Sequence, residues 1–413
     1  MPRRLLAAAV QLAAHSRASF QQAWPHIAHR TESAAASGAE LIVLPEGSLP
    51  AYVLGYAHYE GGEIEAALDA LRDIAKRHRA VIVAGAARTQ GERALNSAVV
   101  IDRDGAIAGY ADKHFLWHFD RQWFAPADHI APVQTSIGSI GALVCADGRI
   151  PTISRTLVDQ GAEMLVMPTA WVTSGRDPAH LENAQADLLA RVRARENGVP
   201  FVAANKCGTE LNCVAYCGKS QIVAADGSLA AIAPQDVEET IVSTIVIGEL
   251  RPYRRRGSQT LPEAPDSKRR FAIAARAARD GDDDLLRILE ADACIYAGDE
   301  NAVDDGAVLD PGGLVEARMA GKTLAVWRTS YDPQWQVTFA RARALELRMY
   351  VVVIDTARSR AYAIDPDGSV MCGTFDGYEL ASFVYDPEKT RQTAVAPGTD
   401  ILHGLQRAGE HAI

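Results

Sequence analysis

Short apolar runs alternate with amphipathic stretches through the first 250 residues, and this pattern constrains the fold more than any other feature. Each run has about four to eight residues, the length of a buried strand. Between them, residues 62–77 and 180–197 place apolar side chains on one helical face. The runs are LIVL (41–44), AVIVAG (80–85), SAVVID (97–102), IGALVC (140–145), EMLVMP (163–168), PFVAAN (200–205) and TIVSTIVI (240–247). This alternation predicts an α/β fold.

Turn signals divide several of these runs. RDGAI (103–107) and ADGSL (225–229) lie between β-rich stretches, where an Asp-Gly pair is typical of a hairpin. Hairpins join antiparallel strands, so we expect mixed sheets rather than all-parallel ones.

A partial repeat connects the two ends of the chain. ARENGVPFVAANK (194–206) is echoed by ALELRMYVVVIDT (344–356), and the Asp-Gly turn at 226–227 is echoed at 367–368. In this alignment LEADACIYAG (289–298) takes the place of QGAEMLVMP (160–168). Residues 270–386 then read as a shortened copy of the latter half of the first 250 residues. A chance match between two α/β segments is the alternative.

The proline- and charge-rich stretch RPYRRRGSQTLPEAPDSKRR marks a boundary. We therefore predict one domain over residues 1–250, a linker over 251–270 and a smaller α/β region over 271–413. The second region shows no Lys-then-Cys arrangement, so any chemistry belongs to the first domain.

Charge and hydropathy exclude two classes of partner. The net charge of −10 opposes nucleic acid, because binding phosphates needs a basic surface. No apolar stretch approaches the ~18 residues of a membrane span. The start of the chain, MPRRLLAAAVQLAAHS, has two arginines before a short apolar run, as a signal peptide does, but it equally fits a buried strand. We predict the strand.

The six cysteines lack the spacing of zinc ligands and contain no CxxC pair. Cys207, Cys213 and Cys217 lie close together in sequence, but no convincing fourth ligand accompanies them. Buried or loop thiols are the prediction, with no metal and no other cofactor. Reduced thiols in a cytoplasmic protein follow.

Three separated residues suggest a chemistry: Glu46, Lys113 and Cys145, each closing or following an apolar run. Cys145 follows a strand and precedes a turn into a helix, a position where backbone N–H groups favour a thiolate. A carboxylate at a strand end can act as general base, and a lysine ammonium can stabilise an oxyanion. Singly, each is more often a buried thiol, a solvated turn or a surface lysine.

Taken together, the order Glu, Lys, Cys resembles the nitrilase superfamily of carbon–nitrogen hydrolases, over roughly residues 5–250. The resemblance implies that Cys145 is the nucleophile, Glu46 the general base and acid, and Lys113 the oxyanion stabiliser. It implies a four-layer αββα sandwich with two mixed sheets, and association through helix faces into a homodimer or higher homo-oligomer.

One position departs from the family pattern. The family carries a second glutamate a few residues before an FxPG motif, whereas the corresponding stretch here, FDRQWFAPAD, has Asp120 in place of that glutamate and Ala127 in place of the glycine. We include Asp120 in the catalytic set, where the shorter carboxylate would position Lys113 or the substrate.

Residues of the expected pocket come from loops after strands. Tyr52, His118 and Trp171 are the candidate aromatic and polar contacts for a small acyl group. Arg149 could fork onto a substrate carboxylate or pair with an acid such as Asp147. His118 also permits a Cys–His dyad, but the Glu–Lys pair explains more of the pattern.

The expected reaction is hydrolysis of a linear C–N bond, in an amide or N-carbamoyl group of a small molecule, through an acyl-thioester with release of ammonia. Nitrilases usually carry Trp-Glu after the nucleophile, and Ala146-Asp147 here favours the amide over the nitrile. A nitrilase remains the alternative, as does a non-catalytic regulatory protein whose C-terminal half binds a partner. An ammonia-feeding glutaminase domain is disfavoured, since no Gly-rich nucleotide loop follows.

Overall fold

The computed structural model describes residues 2–55, 61–250, 252, 261–375 and 377–411. The chain divides into two compact units, residues 1–252 with 407–413, and residues 253–406. The predicted linker, 251–270, falls partly outside the described residues, and its last residues enter the first strand of the second unit. No described helix is long and apolar enough to cross a membrane.

The first unit contains fourteen strands and four α-helices among its described residues. The strands are β1 (Arg3–Ala13), β2 (Leu41–Val43), β3 (Val81–Gln90), β4 (Arg93–Ile101), β5 (Ile107–Asp112), β6 (Val133–Thr135), β7 (Gly138–Ala142), β8 (Met164–Pro168), β9 (Phe201–Ala204), β10 (Lys206–Glu210), β11 (Val214–Cys217), β12 (Gln221–Val223), β13 (Leu229–Ile232) and β14 (Glu239–Ile247). The helices are α1 (Phe20–Ala36), α2 (Gly61–His78), α3 (Pro151–Asp159) and α4 (Ala190–Asn197).

These strands form two mixed sheets. The first has the order β14-β1-β2-β3-β4-β5, with β10 and β11 added beside the far end of β1. The second has the order β13-β12-β9-β8-β7-β6. Strands β1 to β3 of one sheet contact β8 and β9 of the other, helices α1 and α2 cover the first sheet, and α3 and α4 cover the second. The unit is therefore the expected αββα sandwich.

The predicted first strand is confirmed. β1 pairs with β2 in parallel and with β14 in antiparallel register, so it is a central strand. Its middle residues, Ala7 to Val10, are fully buried. The short side chains of this run let both neighbouring layers approach closely, which explains why the segment is apolar without being bulky.

The second unit contains nine strands and most of six helices among its described residues. The strands are β15 (Arg269–Ile273), β16 (Ala293–Ile295), β17 (Leu324–Thr329), β18 (Tyr350–Asp355), β19 (Arg360–Ile364), β20 (Val370–Gly373), β21 (Ala381–Tyr385), β22 (Ala394–Ala396) and β23 (Thr399–Asp400). The helices are α5 (Asp282–Ile288), α6 (Asp305–Leu309), α7 (Gly312–Met319), α8 (Pro333–Leu347), α9 (Pro387–Arg391) and α10 (Ile401–Glu410).

Strand pairing in the second unit follows that of the first. β15 lies between β16, in parallel, and β21, in antiparallel register, as β1 lies between β2 and β14. The order β17-β18-β19-β20 has the same directions as β8-β9-β12-β13. Even the register break of the last pair recurs, between Ile222 and Val223 and between Ala363 and Ile364.

The sequence alignment is wrong in one part. It set 289–298 against the segment that contains β8, but these residues form β16, which pairs with β15. The strand parallel to β18, as β8 is to β9, is β17. Two short apolar runs of similar length cannot be told apart by periodicity, and only the pairing distinguishes them.

Candidate active site

Glu46, Lys113 and Asp120 form one buried cluster at the edge of the first sheet. Lys113 Nζ donates to Glu46 Oε1 at 2.7 Å and to Asp120 Oδ2 at 2.5 Å. All three side chains have no exposed surface. An ammonium between two carboxylates in a dry site is held in a fixed position, which suits electrostatic work better than a mobile surface lysine.

The strand ends place Glu46 and Lys113. Glu46 is the third residue after β2, and its Oε1 also accepts from Asn96 Nδ2 at 2.7 Å. Lys113 directly follows β5, and its backbone N–H donates to Asn96 O at 2.7 Å. Gly85 in β3 leaves room for the Glu46 turn, because a Cβ there would lie 2.4 Å from Glu46 Cα. Asn96 therefore aligns the two groups from the strand between them.

Cys145 begins a 3₁₀ turn, Cys145–Arg149, shortly after β7. Its φ of 46° is in the left-handed region, which is uncommon for a residue with a side chain and is often found at functional turns. The side chain is buried, with 5% exposure. The backbone therefore turns sharply at the thiol.

Asp147 fixes this turn. Its Oδ2 accepts from Val144 N at 3.0 Å, and its Oδ1 accepts from His114 N at 3.0 Å and Phe115 N at 2.7 Å. One carboxylate thus joins the turn that carries Cys145 to the residues that follow Lys113. Burial raises the pKa of Asp147 to about 7, although these N–H groups oppose the shift.

Burial also sets the ionisation of the reactive groups. It raises the pKa of Glu46, against the opposing charge of Lys113. Burial alone would lower the pKa of Lys113, but the carboxylates of Asp120 and Glu46 hold it well above its usual value. The site therefore contains a permanent ammonium and a carboxylate with strengthened affinity for a proton.

The predicted turn into a helix is present, since the 3₁₀ turn Cys145–Arg149 leads into α3. Burial, followed by the charge of Glu46, nevertheless raises the pKa of the Cys145 thiol, and Lys113 only partly offsets this. The raised pKa runs against the expected preference for a thiolate. A neutral thiol needs a base to become a nucleophile, and Glu46 is the adjacent candidate.

Asp120 lies within the 3₁₀ turn His118–Gln122. Besides Lys113, its Oδ2 accepts from Trp117 N at 3.2 Å. The shorter carboxylate thus still reaches the lysine. Together with Glu46 it surrounds Lys113 with negative charge.

Two of the candidate pocket aromatics, Tyr52 and Trp171, are buried, each with 1% exposure. The Tyr52 ring lies 5.7 Å from Lys113 Nζ and 5.5 Å from the Phe119 ring. His118 is only half-buried and stacks edge-on against Phe119 at 4.9 Å. Tyr52 is therefore the aromatic residue that the structure brings to the charged cluster.

Several buried polar atoms around these groups have no hydrogen-bond partner among the described residues. They are Glu46 Oε2, Asp120 Oδ1, Tyr52 OH, Thr169 Oγ1 and Trp171 Nε1. Leaving a buried polar atom unpaired costs about 1–3 kcal/mol. Glu46, Asp120 and Tyr52 lie around Lys113, so three of these atoms are available there to a polar ligand.

Among the described residues, Arg149 does not form the ion pair with Asp147 that the sequence suggests as one possibility. Its guanidinium lies 4.5 Å from the centre of the Trp117 ring, and its Nε has no hydrogen-bond partner within the described ranges. Asp147, the suggested partner, accepts backbone N–H groups instead. Burial lowers the pKa of Arg149 to about 10, while the charge of Cys145 opposes this. The guanidinium is charged at neutral pH.

Sequence reasoning missed Asn96 and the bridging role of Asp147. Nothing in the sequence marks Asn96, because its partners come from strands and loops far along the chain. Asp147 lies two residues after the cysteine, but the sequence suggests only a pairing with Arg149 and gives no sign of its contacts with His114 and Phe115. Of the clustered cysteines, Cys207 and Cys217 face each other across β10 and β11, and Cys213 is exposed in the turn.

Comparisons with known proteins identify the family of the first unit. The carbon-nitrogen hydrolase family matches residues 6–255. A hydrolase encoded in the pqqF 5' region of Pseudomonas protegens is 33% identical over 246 residues, 56% of this chain and 81% of that protein. An (R)-stereoselective amidase from a Pseudomonas species is 27% identical over 58% of this chain and 89% of its own length.

A solved structure extends the likeness to three dimensions. The carbon-nitrogen hydrolase from Helicobacter pylori G27 is 27% identical, superposes with a TM-score of 0.53, and covers 59% of this chain and 89% of its own. The residues that the family model matches, 6–255, coincide closely with the first unit. The chain therefore belongs to the carbon-nitrogen hydrolase family of the nitrilase superfamily, and it is a hydrolase.

Proposed function

We propose that the first unit hydrolyses a linear C–N bond, in a small amide or N-carbamoyl compound, through an acyl-thioester on Cys145. One observation carries the proposal: Glu46 has one oxygen held by Lys113 and a second oxygen without a described partner, next to a thiol that its charge perturbs. The second oxygen of an ionised Glu46 can therefore accept the proton of the Cys145 thiol, as a general base does.

Acylation begins when Glu46 takes the proton of the Cys145 thiol and the sulfur attacks the carbonyl carbon. The carbonyl oxygen becomes an oxyanion, which the Lys113 ammonium stabilises. Glu46 returns the proton to the leaving nitrogen, the C–N bond breaks, and ammonia departs from a primary amide. A raised pKa suits Glu46 to both transfers, because it binds the proton more firmly than an exposed carboxylate would.

Deacylation uses the same carboxylate. Glu46 takes a proton from water, the resulting hydroxide attacks the thioester, and the collapsing intermediate expels the thiolate, which recovers the proton from Glu46. Asp120 takes no proton in this scheme. It holds Lys113 in place and keeps its pKa high, so that the oxyanion meets a charged ammonium throughout.

Arg149 supports a substrate that carries a carboxylate. The Arg149 guanidinium stacks on Trp117 and is near enough to Cys145 for their charges to interact. A guanidinium can donate two parallel hydrogen bonds to a carboxylate. An amide or N-carbamoyl compound with a carboxylate at its other end fits this arrangement. A nitrile is the alternative substrate, and Ala146-Asp147 after the nucleophile disfavours it.

Ammonia release from a panel of small amides, N-carbamoyl amino acids and nitriles tests the reaction. Wild-type protein is expected to release ammonia from at least one amide or carbamoyl compound, and Cys145→Ala to lose at least about 10³-fold in rate. Equal release by the two proteins would refute the mechanism. Within the panel, each carboxylate-bearing amide is paired with its neutral counterpart, and Arg149→Gln should raise KM only for the charged member.

We further infer that the second unit is a shortened copy of the first that has lost the catalytic set. Val303 N donates to Val326 O as Leu143 N donates to Val166 O, so Asp305 stands where Cys145 stands in the first unit. The place of Glu46, third after its strand, is taken by Gly298. The Asp305 carboxylate is occupied within the unit, by Trp327 Nε1 and the Thr329 hydroxyl.

Two expectations about the molecule in the cell belong to the same proposal. All six cysteines are free thiols, which supports a reducing compartment such as the cytoplasm. The family resemblance supports a homodimer or higher homo-oligomer. Sedimentation at several protein concentrations would measure the assembly directly.

A further inference from the structure

The hairpin β10–β11 distinguishes the first unit from the second. Between β9 and β12 the first unit inserts residues 205–220, which include this hairpin. In the second unit, β18 ends at Asp355 and β19 begins at Arg360, so residues 356–359 make the whole connection. The hairpin therefore occurs in the unit that carries the Glu46, Lys113 and Cys145 cluster, and is missing where that cluster is missing.

Other buried charges occur in both units. Arg193 donates through Nη1 to Glu196 at 2.7 Å and through Nε to Gly148 O at 2.9 Å. Arg343 repeats this with Glu346 at 2.8 Å and Val308 O at 2.8 Å. Since the second unit retains this Arg–Glu arrangement without a catalytic set, the arrangement serves to hold the fold together. Arg193 also contacts the Cys145 turn through Gly148, so the Arg343–Glu346 pair of the second unit is the control for any charge that belongs to the active site alone.

The hairpin carries a separate buried charge cluster. Glu210 Oε2 accepts from Lys206 Nζ at 3.2 Å and from Tyr216 OH at 2.7 Å. Lys206 and Tyr216 have no exposed surface, and Glu210 has 1%. Lys206 Nζ also lies 5.6 Å from the centre of the Tyr216 ring.

This cluster reaches the active site through the segment that bears Tyr52. Glu210 Oε1, the oxygen not used by Lys206 and Tyr216, accepts from Val53 N at 2.9 Å. The Tyr216 ring meets the Tyr52 ring edge-on at 6.1 Å. Tyr52 in turn faces Lys113 Nζ. A continuous series of contacts thus runs from the hairpin to the oxyanion-stabilising lysine.

Stability alone does not explain such a cluster. Taking a lysine and a glutamate out of water costs about as much as their attraction returns, and an apolar set of similar volume is often as stable. Buried ion pairs are better at fixing one arrangement than at adding stability, because each hydrogen bond specifies a position. The position specified here is the backbone of Val53, next to Tyr52.

We propose that Glu210 is a positioning residue of the active site: held by Lys206 and Tyr216, it fixes the Tyr52 segment as one wall of the acyl pocket. The proposal rests on the hydrolytic function proposed above. Glu210 touches neither the thiol nor its base, so it acts through Tyr52 and not on the chemistry itself.

Glu210→Gln and Glu346→Gln form the matched pair of variants. Each replaces one buried carboxylate that pairs with a cation, and both should lower the melting temperature. In Glu210→Gln the amide cannot accept from Val53, Lys206 and Tyr216 together, so the Tyr52 segment shifts. We expect KM to rise about tenfold or more, since small displacements in a pocket have large kinetic effects. Glu346→Gln, in the second unit, should leave KM unchanged.

Hydrogen exchange at the Val53 amide gives a readout that needs no activity. Glu210→Gln should lose protection there, and Glu346→Gln should keep it. If the wild-type protein hydrolyses no substrate, the proposed function is refuted. The exchange measurement then tests by itself whether Glu210 holds the Tyr52 segment. Unchanged KM and unchanged Val53 protection in Glu210→Gln would overturn the proposal.

Tyr216→Phe covers the case in which Glu210→Gln does not fold. This variant removes one donor to Glu210 and keeps the Lys206 pair, so the cluster stays neutralised. A KM rise in the same direction, smaller than tenfold, is expected. A Tyr216→Phe enzyme with wild-type KM and wild-type Val53 exchange would count against the role of the cluster.

Discussion

At the scale of single residues, the proposed mechanism assigns proton transfer and charge stabilisation to different groups. Glu46 Oε1 accepts from Lys113 and Asn96, and the mechanism uses Oε2 for the thiol, the leaving nitrogen and water in turn. Lys113 stays charged because Asp120 adds a second carboxylate beside it. The two tasks thus fall to neighbouring groups that a single buried network holds in place.

The pH dependence of turnover follows from the state of Glu46. The base must be ionised to accept the thiol proton, and burial raises its pKa above the ordinary value of 4.5. Activity should therefore fall as the pH decreases through this raised pKa, so the acid limb of kcat/KM lies above 4.5. A profile of kcat/KM against pH measures the midpoint, with thermal unfolding at each pH to show that the fold persists. A midpoint at or below that of an exposed glutamate would be inconsistent with Glu46 as the base.

At the scale of elements, the site depends on connections between segments that are remote in sequence. Strands β2, β5 and β7 each end near the cluster, but their ends are joined by side chains rather than by the sheets alone. Asp147 is the clearest case, because its two oxygens hold the Cys145 turn and the segment after Lys113 together. In the same way, Glu210 of the hairpin β10–β11 accepts from Val53 N and joins the hairpin to the Tyr52 segment.

Replacing Asp147 by alanine should loosen this junction. Val144, His114 and Phe115 would lose the acceptor of a buried N–H, at about 1–3 kcal/mol for each unpaired group. We expect the free energy of unfolding to fall by about 2 kcal/mol or more, and kcat to fall because the thiol moves relative to Lys113. Urea denaturation and steady-state kinetics measure the two effects.

Asp69→Ala is the control for this substitution. Asp69 pairs with Arg72 on the surface of α2, and its side chain is 69% exposed. Exposed pairs of this kind contribute about 0–1 kcal/mol, so this variant should resemble wild type. If Asp147→Ala were as harmless as Asp69→Ala, the bridging role of Asp147 would have to be abandoned.

At the scale of the whole molecule, the proposed duplication gives one chain two related units, with the proposed catalytic set in the first of them. Matching strand directions and a matching register break relate the units, while Asp305 and Gly298 stand where the chemistry would need Cys and Glu. The buried Arg–Glu pairs occur in both units, so they belong to the fold itself. The hairpin β10–β11 occurs between β9 and β12 of the first unit and has no counterpart between β18 and β19 of the second, so it belongs with the proposed active site.

A single acyl group per 413-residue chain is therefore expected during turnover. Acid quenching of wild-type protein with substrate, followed by intact-mass measurement, gives the stoichiometry, and peptide mapping gives the position. The adduct should lie on Cys145, with none on Cys294 or Cys372 of the second unit. A second adduct in the second unit would show that the copy has kept a reactive site of its own.

The sequence by itself predicted the α/β alternation and a buried first strand, both of which the fold confirms, and it singled out Glu46, Lys113 and Cys145 as candidates. These follow from local patterns, because strand ends and the residues that follow them are written in consecutive positions. The same locality explains the error over β16 and β17, two short apolar runs that only their pairing tells apart.

Only the tertiary structure decided how those residues behave. The raised pKa of the Cys145 thiol, the Asp120 contact with Lys113, the junction at Asp147 and the stacking of Arg149 on Trp117 depend on burial and on segments brought together from distant parts of the chain. Burial removes water and strengthens the effect of each charge on its neighbours, and the spacing of residues along the chain gives no measure of burial. The sequence therefore proposed the candidate groups, and the fold set their surroundings and their geometry.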